Sequence, residues 1–190
     1  MKTAAEKLRR RSIRLREYDY RQPGAYFITV VAHGRAVLFG EITGGETRLN
    51  EYGRIVEDEW QKSSIIRREI ELDAFVVMPN HIHGIVNIID ADVGATGRSP
   101  LRSGPPARSL GAFIAGFKSA VTKRINEIRQ THGAPVWQRN YYEHIIRGDG
   151  ELLRVREYIL NNPLDWENDR ENPSPPMDLK FAGATETWKV

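Results

Sequence analysis

The chain has 190 residues, 40% of them hydrophobic, which suits one domain with extensions and a core of its own. With no cysteine, it excludes disulfides, thiolate metal sites and cysteine nucleophiles, and a reducing cytoplasm fits the composition. The formal net charge is only +3, no apolar leader opens the chain and no run nears the ~20 apolar residues that span a bilayer, so the sequence predicts a soluble, cytoplasmic protein without a membrane partner.

The first element is a basic arm. Residues 1–21 carry eight Lys or Arg against three acidic residues, whereas the remainder carries twenty against twenty-two. Arg9, Arg10, Arg11, Arg14 and Arg16 give this arm the charge to attract nucleic-acid phosphates; a solvated terminal segment is the plainer alternative. "AYFITVVA" (25–32) is rich in aromatic and β-branched residues and predicts a buried strand, with "AVLFGEI" (36–42) as its neighbour. Gly44 and Gly45 mark a turn, and Asn50 caps a helix to about residue 63 with Ile55, Val56 and Trp60 on one face. "LDAFVVM" and "HIHGIVNII", parted by Pro79 and Asn80, predict a hairpin.

The second of those strands opens with His81 and His83, whose side chains at i and i+2 leave one face together while Ile82 leaves the other. Two neutral imidazoles aimed at one point suit a divalent cation, with other residues or water completing the shell; a pair of histidines lining a sheet fits the same spacing.

Residues 90–108, rich in Gly, Pro, Ser and Arg, predict a mobile basic loop. Ser109 then caps a helix to about Gln130, with Leu110, Phe113, Ile114, Phe117, Val121, Ile125 and Ile128 at three- and four-residue steps. Its other face carries Lys118, Lys123 and Arg124, which suit either solvent or a phosphate backbone. "VWQRNYYEHIIR" (136–147) resumes a strand pattern, in which Trp137, Tyr141 and Tyr142 are candidates to stack on bases and Arg139 to contact phosphate, although the aromatic residues suit a core equally well. A last helix runs from about Asp149 to Asn162 and stops at Pro163. It places Tyr158 and Asn162 one turn apart on one face, beside the apolar stripe Leu152, Val155 and Ile159. Residues 164–190 read as a proline-rich, charged tail, draped over the domain or disordered. The order is βαββαβ, that of an α+β ferredoxin-like sandwich with an appended C-terminal helix.

His81-Ile82-His83 within "VVMPNHIHGIV", the opening "RRSIRLREYDYRQPGAYFITV", the block "VWQRNYYEHIIR" and "REYILNNPLDW" occur in one order, and together they resemble the REP-associated tyrosine transposases of the HUH single-strand transposase superfamily. The resemblance covers most of residues 10–166. It implies that His81 and His83 ligate a catalytic Mg²⁺ or Mn²⁺, that Tyr158 on the appended helix is the nucleophile and that Asn162 is the third protein ligand. It also implies cleavage and rejoining of single-stranded or hairpin DNA through a 5′-phosphotyrosine, by a monomer or a homodimer. On this reading residues 1–21 are a DNA-binding arm, 22–163 the catalytic domain and 164–190 a tail beyond a minimal family domain. No role follows for Glu143 and His144. A histidine-triad nucleotide hydrolase is disfavoured because the third alternating position is Ile85. The alternative function is a domesticated hairpin-binding protein that no longer cuts.

Overall fold

The structure, a computed structural model, describes residues 18–90 and 108–173. The arginines expected of the basic arm (Arg9, Arg10, Arg11, Arg14 and Arg16), nearly all of the 90–108 loop and the tail beyond residue 173 lie outside the described residues.

The aromatic and β-branched run forms β1 (Gly24–Val31), whose long buried stretch fits a strand paired on both edges. A single 3₁₀ turn follows at His33–Arg35, then a small hairpin of β2 (Gly40–Thr43) and β3 (Glu46–Leu49) turning on Gly44 and Gly45. Both turn glycines have positive φ (62° and 78°). The strand expected at 36–42 beside β1 is therefore corrected: β2 begins later and pairs only with β3, in a separate two-stranded sheet. Its lead-in serves another purpose, since the Leu38 and Phe39 N–H groups both donate to the Pro79 carbonyl (2.8 and 2.9 Å) and brace the next hairpin's turn.

Asn50 caps α1 (Glu51–Ile66), its side chain accepting from Gly53 N–H at 3.0 Å. The hairpin of β4 (Ile70–Val77) and β5 (His81–Ile88) closes with Val77 opposite Ile82, and β4 bulges between Leu72 and Phe75. Ser109 caps α2 (Leu110–Arg129) by accepting from Ala112 N–H at 3.2 Å, and Gln130 ends it in the left-handed conformation. β6 (Tyr142–Ile146) is shorter than the expected strand, because the Lys118 ammonium draws the Gln138, Arg139 and Asn140 carbonyls toward itself (2.8, 3.3 and 3.0 Å). Finally comes α3 (Asp149–Asn161).

Among the described residues the fold is mixed, with three α-helices and a four-stranded antiparallel sheet in the order β4-β5-β1-β6. Strand alternation sorts its residues to two faces. Tyr26, Ile28, Val30, Ile82 and Val86 meet α1 and α2 through Trp60, Phe113, Phe117 and Val121 in the larger core. Phe27, Ile85 and Ile146 meet Val155 and Ile159 of α3 in the smaller one. Gly84 faces the larger core, where a Cβ would stand 2.6 Å from the Trp60 ring, so only glycine admits that indole. Among the described residues no helix is long and apolar enough to cross a membrane.

Candidate active site

His81 and His83 leave β5 on the α3 face, both fully buried or nearly so. Their inner nitrogens are held from behind. The Asn80 amide donates to the backbone carbonyls of Arg35 (3.2 Å) and Glu171 (2.6 Å), which fixes its oxygen as an acceptor, 2.8 Å from His81 Nδ1. His81 Nδ1 must therefore carry the proton, and a neutral ring then bares its lone pair at Nε2. Thr29, directly opposite His83 across the β1–β5 ladder, lies with Oγ1 2.9 Å from His83 Nδ1. The two Nε2 atoms are 3.0 Å apart.

Charge favours the neutral rings. Burial pushes His81 down to about 3, assisted by the Arg35 cation. Burial also holds His83 well below its ordinary value, reinforced by His81 and opposed by Asp169.

Val155 and Ile159 seat α3 on Phe27 and Ile85, which brings Tyr158 over the pair. Its ring meets Phe27 and His83 edge-on (5.9 and 5.2 Å between centroids), and Tyr158 Oη lies 3.4 Å from His83 Nε2. Burial raises the Tyr158 phenol above its ordinary value, as does the Asp169 charge, while the Asn162 side chain pulls the other way. Asn162, one turn along, is buried, and its Oδ1 has no hydrogen-bond partner among the described residues.

Two polar ties hold α3 across the sheet. Arg156 pairs with Asp73 of β4 through two hydrogen bonds (2.9 and 2.6 Å), and Arg156 holds the Asp73 carboxyl below its usual range. At the other edge His144 Nε2 of β6 lies 2.6 Å from Glu151 Oε1, and the Arg147 N–H donates to the same carboxylate. His144, for which no role follows from its sequence context, thus fastens the first turn of α3.

Asp169 joins the site from beyond α3, after a 3₁₀ turn at Trp166–Asn168. Its Oδ2 is 3.8 Å from His81 Nε2, and ligand atoms of His81, His83 and Asp169 all lie within 4.8 Å of one another. Sequence reasoning missed this residue. It stands in the segment assigned to the tail, and nothing in its spacing sets it apart from Asp165, Glu167 or Glu171.

This donor set fits a divalent ion. Six-coordinate Mg²⁺ with ligands at about 2.1 Å has adjacent ligand atoms about 3 Å apart. The Nε2 pair matches that edge, and the Asn162 Oδ1, buried and without a hydrogen-bond partner among the described residues, is an oxygen of the type such ions take.

The residues expected to bind DNA scatter. Lys118 turns inward to its three carbonyls, and burial brings its amine down to about 8. Arg124 is engaged with α1, donating to Glu59 (2.6 Å) and Asp58. Trp137 is only 6% exposed, packed against Phe39 and Phe117, so the expectation that it stacks on bases is corrected: the core takes it. Lys123 is exposed, 3.9 Å from Glu127, and Arg139 is exposed. The α2 cations lie across the sheet from the histidines, so the structure does not gather them at the site.

No protein-family model matches the chain. An uncharacterized protein of Haemophilus influenzae is 38% identical over 167 residues, covering 85% of this chain and 92% of the relative. A second protein of that organism, named as a candidate REP-associated tyrosine transposase, is 25% identical over 154 residues, covering 77% of this chain and 73% of the relative. Among solved structures, a REP-associated tyrosine transposase bound to a REP hairpin superposes with a TM-score of 0.57 at 21% identity, over 80% of this chain and 73% of that one. This last likeness bears on the fold.

Proposed function

Because the chain belongs to the REP-associated tyrosine transposase family, we propose that it is a metal-dependent single-strand DNA endonuclease and strand-transferase acting on hairpin-forming palindromes. The observation that carries this reading is the 3.4 Å approach of Tyr158 Oη to the buried histidine pair. The strand order supports a ferredoxin-like catalytic domain, residues 22–163, with α3 as the appended helix that carries the nucleophile.

His81, His83 and Asn162 would hold Mg²⁺ or Mn²⁺. When bound, such an ion supplies positive charge that polarises the scissile phosphate and eases loss of the phenolic proton. The chain's own residues do the rest. Thr29 and Asn80 orient the imidazoles, and the Asp73–Arg156 and His144–Glu151 ties fix α3 so that Tyr158 Oη faces the same point. The phenol oxygen attacks phosphorus, an O–P bond forms and the bond to the 3′ oxygen breaks. This leaves a 5′-phosphotyrosine and a free 3′-hydroxyl, and attack by another 3′-hydroxyl reverses the step. Residues 1–21, together with exposed Lys123 and Arg139, are the candidate phosphate contacts.

The test incubates purified protein with end-labelled single-stranded DNA bearing palindromes from its own genome, with Mg²⁺ or Mn²⁺. Denaturant-resistant protein–DNA adducts are expected, absent in Tyr158→Phe and His83→Ala. Hairpin binding without an adduct under both metals would leave a binding protein on the same fold.

A further inference from the structure

Asp169 presents a problem of charge. Its carboxylate is 96% buried, and its Oδ1 accepts the Glu171 N–H at 2.5 Å. Its Oδ2 faces His81 Nε2, the atom that the Asn80 contact leaves with a bare lone pair. The Arg35 guanidinium is paired with Glu171 at 3.0 Å. A buried carboxylate set against the bare lone pair of an imidazole is costly unless a positive charge lies between them.

The surrounding turn holds the carboxylate there. Asn172 Nδ2 donates to the Trp166 carbonyl (2.9 Å), the Asn172 N–H donates to the Asp169 carbonyl (3.1 Å), and Asn80 Nδ2 donates to the Glu171 carbonyl (2.6 Å). Asn80 thus orients His81 with its oxygen and fastens this turn with its nitrogen, so one side chain couples the imidazole to the segment that brings in Asp169.

We propose that Asp169 is an anionic ligand of the ion held by His81 and His83, and that ion binding fastens residues 166–172 over the site. The inference rests on the metal-centre reading above and extends it to a residue outside the proposed 22–163 domain. Neutral imidazoles and an amide oxygen carry no net charge, so the carboxylate is the donor that offsets the charge of the ion. By linkage, the free energy the ion gains from Asp169 also stabilises the turn that carries it.

The test uses the full chain without DNA. Mn²⁺ is titrated in while the free aquo ion is followed by electron paramagnetic resonance, and hydrogen exchange of residues 164–173 is measured with and without the ion. Asp169→Asn keeps an acceptor for the Glu171 N–H while removing the charge. The expected results are Mn²⁺ binding to the parent chain that His81→Ala abolishes, at least about tenfold weaker binding in Asp169→Asn, and ion-dependent protection of residues 164–173 that both variants lose. Equal affinity and equal protection in the parent and Asp169→Asn would overturn the inference alone. Absence of any His81-dependent binding in the parent would overturn the metal-centre reading beneath it.

Discussion

On the side of the sheet covered by α1 and α2, Tyr26, Ile28, Val30, Ile82 and Val86 pack beneath Trp60, Phe113 and Phe117. The alternate residues of the same two strands turn Thr29, His81 and His83 toward α3, where Tyr158 and Asp169 approach the histidines and Asn162 is buried one turn along from Tyr158. A single residue step separates the two environments, because strand side chains alternate. One face holds the larger apolar core; the other gathers buried polar groups whose arrangement costs stability. The first allows the second. A two-residue slip would keep the faces but break the Thr29–His83 pairing, and a one-residue slip would exchange them.

If this division of labour holds, substitutions on the two faces should fail in different ways. The largest effect is expected from Tyr158→Phe, which should lower adduct formation by more than about a thousandfold, while urea denaturation shows little change in stability. Trp60→Ala should do the reverse. It removes an indole that stacks on Phe75 at 4.3 Å and meets Phe113 and Phe117, so it should cost about 3–5 kcal/mol in urea denaturation. Adduct formation per folded molecule should stay near the parent value; a large fall would show that the faces are not separable.

A smaller effect tests the join between them. Asp73→Asn weakens the tie from β4 to Arg156 of α3 and should slow adduct formation a few-fold, with a modest loss of stability. The tie holds the folded Asp73 pKa below its ordinary 3.8. Its stabilisation is therefore complete above that ordinary value and is lost as pH falls through the folded one. Parent and Asp73→Asn stabilities should differ at neutral pH and converge in acid. A difference that persisted unchanged in acid would assign the loss to packing.

What could be read from the sequence was local. Asn50 and Ser109 cap the helices they precede, the β4–β5 hairpin turns at Pro79 and Asn80, and Tyr158 and Asn162 lie one turn apart at the end of α3. Each depends on spacing within a few residues. Tertiary partners decided the rest. Lys118 and Arg124 looked like solvent-facing cations, yet one is claimed by backbone carbonyls twenty residues on and the other by α1. Trp137 carries a base-stacking side chain, but the core takes it. Asp169 belongs to the site only because the chain doubles back after α3, and no periodicity announces that return.

The most direct test of the account locates the covalent bond. The denatured protein–DNA adduct is digested with nuclease and protease, and the nucleotide-bearing peptide is sequenced by mass spectrometry. A phosphonucleotide on Tyr158 is the predicted result; the same mass on Tyr141, Tyr142 or any other residue would contradict the site described above.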